Sequence, residues 1–165
     1  MQKLKFEQTP FYAGNMIVSL LLTCRDAKIE QPNIQAVGLR LKAKNAQTGE
    51  QVSQMEIYLG KSKGKKFAIF DGPGIEGNAW KSANVLLTNH ALDYAQHQKI
   101  RLIAGYGSAS KEMKKFLEKQ SAKRGLEFSA FPVRNARDYV QIVMRRKDKP
   151  SKPKPAKRLN TRKGF

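Results

Sequence analysis

The sequence predicts an α+β domain. Its mixed sheet has an N-terminal antiparallel hairpin region followed by β-α-β-α-β, with helices on one side and a basic, disordered C-terminal tail. Three observations predict it: apolar residues recur at every second position in the first half, recur at helical spacing in the second half, and almost vanish after residue 144. A chain of 165 residues suffices for one compact domain, assigned to 1–144, with 145–165 as the tail.

The first strand expected runs from Met16 to Cys24, where Met16, Val18, Leu20, Leu22 and Cys24 mark one buried side. This run is about half of the roughly 20 residues that a membrane span requires, and Arg25 and Asp26 close it, so no membrane partner is expected. Glu7 falls where a secretory leader would be basic. Cys24 is the single cysteine, which excludes a disulfide framework within the chain and a zinc site of several thiolates. A cytoplasmic location follows as the expectation.

Next comes a β-hairpin. Val37, Leu39, Leu41 and Ala43 alternate with Arg40, Lys42 and Lys44, and after the turn-rich stretch from Asn45 to Glu50 the same period returns in Met55, Ile57 and Leu59. Its outer face is expected to be polar and largely basic. Lys61, Lys63, Lys65 and Lys66, spaced by Ser62 and Gly64, read as a flexible basic loop before a short strand from Phe67 to Asp71. Trp80, Ala83, Leu87, Ala91 and Tyr94 then give a helix with Asn78 as N-cap. Ile100 to Ala104 is the following strand. A second helix, from about Ser110 to Arg124, buries Met113, Phe116 and Leu117 and stops at Gly125, which suits the left-handed residue after a helix end. Leu126 to Phe131 is a further strand, and Tyr139 to Met144 fits a strand or a short helix equally well. Two successive strand-glycine-helix units favour right-handed crossovers and a partly parallel sheet.

Few residues point to chemistry. Gly72-Pro73-Gly74-Ile75-Glu76-Gly77 matches the dinucleotide fingerprint between a strand and a helix, but the acid expected about 20 residues on, Asp93, falls inside the helix, so no cofactor is expected. Asp71 at a strand end, with Glu76 and Asp93, gives an alternative reading as a Mg²⁺-dependent nuclease, although the chain has only thirteen acids in all. His90 and His97, the only histidines, lack metal-binding spacing and read as structural, so no metal is assigned.

Charge makes the stronger case. The chain carries +19, of which the tail from Arg145, Arg146 and Lys147 onward holds +9. Lys111, Lys115, Lys119 and Lys123 recur every fourth position as a positive stripe on the second helix. Gly105, Tyr106, Gly107, Ser108 and Ser110 offer backbone N–H groups and hydroxyls for a phosphate where that helix begins. Tyr58, Phe67 and Tyr106 could stack on unpaired bases. Together with Arg40, Lys42, Lys44 and Lys61 to Lys66, these residues predict a non-enzymatic protein whose partner is nucleic acid, DNA or RNA.

The segment from Phe67 to Phe128 also resembles a domain found in large polyvalent proteins of mobile elements and attached to conjugative relaxases. The residues that carry the resemblance are Phe67-Ala68-Ile69-Phe70-Asp71-Gly72, Ala91-Leu92-Asp93-Tyr94-Ala95, Ile100 to Gly105, Lys111 to Phe116 and Arg124-Gly125-Leu126. It implies an accessory role in plasmid or phage DNA processing, possible partners in a DNA-processing complex, and no active site.

Overall fold

A computed structural model describes residues 3–12, 33–62, 64–72 and 81–147. The expected strand from Met16 to Cys24, Lys63, Glu76, Asn78, Trp80 and the tail beyond Lys147 lie outside the described residues. Seven strands, β1 (Leu4–Tyr12), β2 (Asn33–Asn45), β3 (Gln51–Ser62), β4 (Lys65–Asp71), β5 (Leu102–Ser108), β6 (Leu126–Val133) and β7 (Ala136–Arg146), form one mixed sheet. Its order is β1-β2-β3-β4-β5-β7-β6, so β1 and β6 are its edges among the described residues. Helix α1 (Lys81–His97) links β4 to β5, and α2 (Lys111–Lys123) links β5 to β6.

The predicted hairpin is β2–β3, antiparallel with Leu39 opposite Ile57 and Leu41 opposite Met55. Asn45 closes its turn, because its side-chain oxygen accepts from the N–H groups of Gln47 and Thr48. The expected basic loop is a tight β3–β4 hairpin instead: Lys61 faces Lys66, Ser62 faces Lys65, and Gly64 takes the positive φ of 74° that the turn needs. A helical crossover through α1 then makes β4 and β5 the parallel pair, from Phe67 opposite Leu102 to Phe70 opposite Gly105.

Helix α2 begins and ends as its sequence prescribes. The Ser110 hydroxyl accepts from the Met113 N–H at 3.2 Å, and Gly125 follows the last turn at φ 69°. Ser110→Ala should lower unfolding free energy by about 1 kcal/mol, read by urea denaturation; an unchanged midpoint would mean that the cap adds nothing here. The hydroxyl expected to hold a phosphate is therefore already engaged by the helix itself.

Alternation gives the sheet two apolar faces. On one, Leu39, Leu41, Met55, Ile57, Ala68, Phe70, Ile103, Val140, Ile142 and Met144 pack with Ala83, Leu87, Ala91 and Leu92 of α1 and with Met113 and Leu117 of α2. Both helices thus share one core, and Arg124 after α2 locks onto Asp93 of α1 with Nε to Oδ1 at 2.8 Å. On the other face Tyr58, Phe67, Ile69, Ala104 and Val143 are also buried. Tyr139 to Met144 is strand, not helix, and β7 continues through Arg145 and Arg146, which the sequence reading had given to the tail.

Candidate active site

The decisive geometry lies where the parallel strands part. Pairing of β4 with β5 stops at Phe70 and Gly105, whereas β5 runs on through Tyr106, Gly107 and Ser108, held only by β7 on its other edge. Among the described residues no strand pairs with the β4-facing edge of those three, so their backbone groups border a notch. At the last paired position the two backbones approach closely: a Cβ on Gly105 would stand 2.6 Å from the Phe70 carbonyl oxygen. Gly107 is bare for a related reason, since its Cβ would meet Ile142 Cδ1 at 2.5 Å and Met113 Cε at 2.9 Å. Beneath the notch is an apolar cleft of about 450 Å³, counting space open to solvent. Met55, Phe70, Met113, Leu117, Ile142 and Met144 form its floor.

Across the sheet from that cleft sits a polar group of side chains. Strand alternation puts Asp71, the last residue of β4, on the face of Ile69 and Tyr58, directly opposite Glu56 of β3. Glu56 is fully engaged: Arg40 Nε and Nη2 both lie 2.8 Å from Oε1, and the Tyr58 hydroxyl donates to Oε2 at 2.5 Å. The Arg40 guanidinium in turn stacks 4.8 Å from the Phe11 ring centroid, and Phe11 meets Tyr58 edge to face. Burial, the Glu56 hydrogen bond and its charge push the Tyr58 hydroxyl well above the usual phenol range, so it stays a donor. Asp71 is exposed at the strand end, yet partial desolvation of its carboxyl and the facing Glu56 both raise it above the ordinary aspartate range. Tyr106, two residues beyond Ala104 on the same face, is 37% exposed at the rim. One carboxyl of raised basicity and one phenol thus flank an opening whose far side is apolar.

No protein-family model and no curated protein matches the chain. Among solved structures it is similar to FeeM, an N-acyl amino acid synthase from uncultured soil microbes, at 11% identity over 87% of this chain and 91% of that one, with a TM-score of 0.48. It is similar to the spermidine/spermine N-acetyltransferase SpeG of Vibrio cholerae at 15% identity over 85% of this chain and 91% of that one, with a TM-score of 0.45. A chain of the NatC complex, solved with Gag peptide and CoA, aligns at 9% identity over 86% of this chain and 98% of that one, with a TM-score of 0.47.

These findings correct the sequence reading. No family model supports the resemblance of residues 67–128 to the polyvalent-protein domain, and that reading falls together with the plasmid or phage role it implied. Its physical failing is plain: residues 67–128 are no module, because their strands and helices share a sheet and a core with β2, β3 and β7. The expectation of a non-enzymatic nucleic-acid-binding protein, with its mobile-element setting, is corrected likewise, because the residues that carried it do not form one open basic surface.

The structure disperses the residues that had supported that expectation. Arg40, Lys42 and Lys44 are half-buried instead of lining an open basic face, with Arg40 held by Glu56 and Lys44 by Glu7. Tyr58 and Phe67 are too buried to stack on anything. Gly105, Tyr106, Gly107 and Ser108 belong to β5 and are not a loop at a helix start. Lys61, Lys65 and Lys66 are exposed on the β3–β4 hairpin at the other end of the sheet, and Lys111, Lys115, Lys119 and Lys123 form an exposed row on α2. Arg145 and Arg146 end β7, and Lys147 follows them.

Among the described residues the nuclease alternative finds no metal site, and Glu76 lies outside them. Asp93 is on α1 and ion-paired to Arg124, Glu56 is spent on Arg40 and Tyr58, and the described residues contain no group of three His, Cys, Asp or Glu able to hold a metal. His90 stacks on Phe6, with ring centroids 6.2 Å apart. No helix among the described residues is long and apolar enough to cross a membrane. Sequence reasoning missed Glu56 and the notch and gave Tyr58 a base-stacking role; the one signal for the site was the pair of acids, Glu56 and Asp71, that cross-strand register brings together.

Proposed function

We propose that the chain is an acyltransferase that moves an acyl group from a thioester donor such as coenzyme A to an acceptor on the opposite face of the sheet. The observation that carries this reading is the notch between β4 and β5, open to an apolar cleft on one face and to Asp71 on the other. An amide-bearing arm of a donor can add to the free edge of β5 at Tyr106 to Ser108, as an extended peptide adds to a sheet edge. Its acyl group then reaches the level of the sheet. Asp71 would take a proton from the attacking group of the acceptor, and the Tyr106 hydroxyl is placed to protonate the departing thiolate. The donor's bond from carbonyl carbon to sulfur breaks as the bond from that carbon to the acceptor forms.

The raised carboxyl of Asp71 sets the pH dependence. Below its elevated value the group is protonated and cannot accept a proton, so turnover should climb with pH through a point above the ordinary aspartate range.

Calorimetric titration with acetyl-coenzyme A tests the reading, followed by thiol release in the presence of amine and hydroxyl acceptors. Binding is expected, and Gly107→Val, whose side chain would intrude between Ile142 and Met113, should weaken it by about tenfold or more. No heat of binding with the wild-type chain would sink the proposal.

A further inference from the structure

At the opposite end of the sheet from the notch, below the C-terminal end of α1, lies a second concavity that encloses about 690 Å³ including space open to solvent. Val37, Leu59 and Ile100 make it apolar, and Lys61 and Lys66 stand at its edge. These lysines occupy directly opposed positions on β3 and β4. Like charges so placed destabilise a strand pair. Neither forms an ion pair with an acid among the described residues, and Lys66 Nζ donates only a long bond, 3.4 Å, to the Gln98 carbonyl. Beside them Val37 is 51% exposed, so apolar surface is left open next to two facing cations.

We propose that this concavity binds a small amphiphilic carboxylate, whose head bridges Lys61 and Lys66 and whose apolar body covers Val37, Leu59 and Ile100. Two ammonium groups with no acid between them select an anion and reject a cation. The apolar lining selects an anion with a hydrocarbon body over a bare inorganic ion, because burying that body removes the open Val37 surface from water. An anion bridging the pair also removes the repulsion that the cross-strand register imposes. The proposal is independent of the acyltransferase reading, since the residues involved lie at the start of β4 and the notch at its end.

The test is calorimetric titration of the full-length chain with octanoate, with acetate as a head-only control and octanol as a body-only control. Octanoate should bind, and acetate and octanol should each bind about tenfold or more weakly than octanoate. The double variant Lys61→Gln/Lys66→Gln should lose about tenfold in octanoate affinity while its melting temperature stays level or rises, because a repulsive pair is gone. Saturating coenzyme A should leave octanoate affinity unchanged. Equal affinity in the double variant, equal affinity for octanol, or displacement of octanoate by coenzyme A would each overturn the proposal. So would binding to anionic vesicles that the double variant abolishes, if octanoate itself does not bind.

Discussion

Asp71→Asn should lower acyl transfer by about 10²- to 10⁴-fold, the usual contribution of a positioned proton acceptor, with donor binding little changed. The amide keeps the size and hydrogen-bonding reach of the carboxyl but cannot take up a proton. Folding should not suffer. The Asp71 carboxyl is raised by partial desolvation and by Glu56, so its ionised form is the one the fold disfavours. Its contribution to stability is then greatest below the unfolded aspartate value and is lost as pH rises through the higher folded value. At neutral pH the asparagine variant should therefore melt no lower than wild type, and the pH rise in residual turnover attributed to Asp71 should vanish. A variant that retains full turnover, or that keeps the same pH profile, would remove Asp71 from the chemistry.

The second large effect concerns stability. Gly105→Ala should cost about 3 kcal/mol, the upper end for an overpacked site, because the new methyl would sit 2.6 Å from a backbone oxygen, that of Phe70. Backbone on both sides of the contact is pinned, β4 by β3 and β5 by β7, so the strands must separate to admit it. Gly107→Ala should cost nearer 1 kcal/mol, since the atoms it meets are the ends of Ile142 and Met113, which can swing aside. Guanidinium denaturation of the two variants side by side reads the difference. Equal losses would show that the Gly105 approach is slack.

Much of the scaffold was legible because its signals are local. The β2–β3 hairpin announced itself through Leu39, Leu41, Ile57 and Leu59 at period two, and α2 through Ser110 at its start and Gly125 at its end. Where reading failed, a distant partner decides the outcome. Val140, Ile142, Val143 and Met144 have no alternation to read, because both faces of β7 are buried. Gly105 and Gly107 carry the signature of a loop, yet they are strand residues thinned to admit Phe70, Ile142 and Met113. Period two in Arg40, Lys42 and Lys44 says that they share a face; it cannot say that Phe11, Glu56 and Tyr58 gather over Arg40. The notch was out of reach altogether, since it exists only as the stagger between two strands of equal length that a whole helix separates.

Among the described strands β1 and β6 are outermost, and each carries a proline, Pro10 in one and Pro132 in the other. An imide nitrogen has no hydrogen to offer, so an incoming strand finds a gap in the ladder at either margin. Growth of the sheet from one molecule into the next is thereby discouraged on both flanks, and a basic protein with an extended β-surface is kept from templating fibrils of itself.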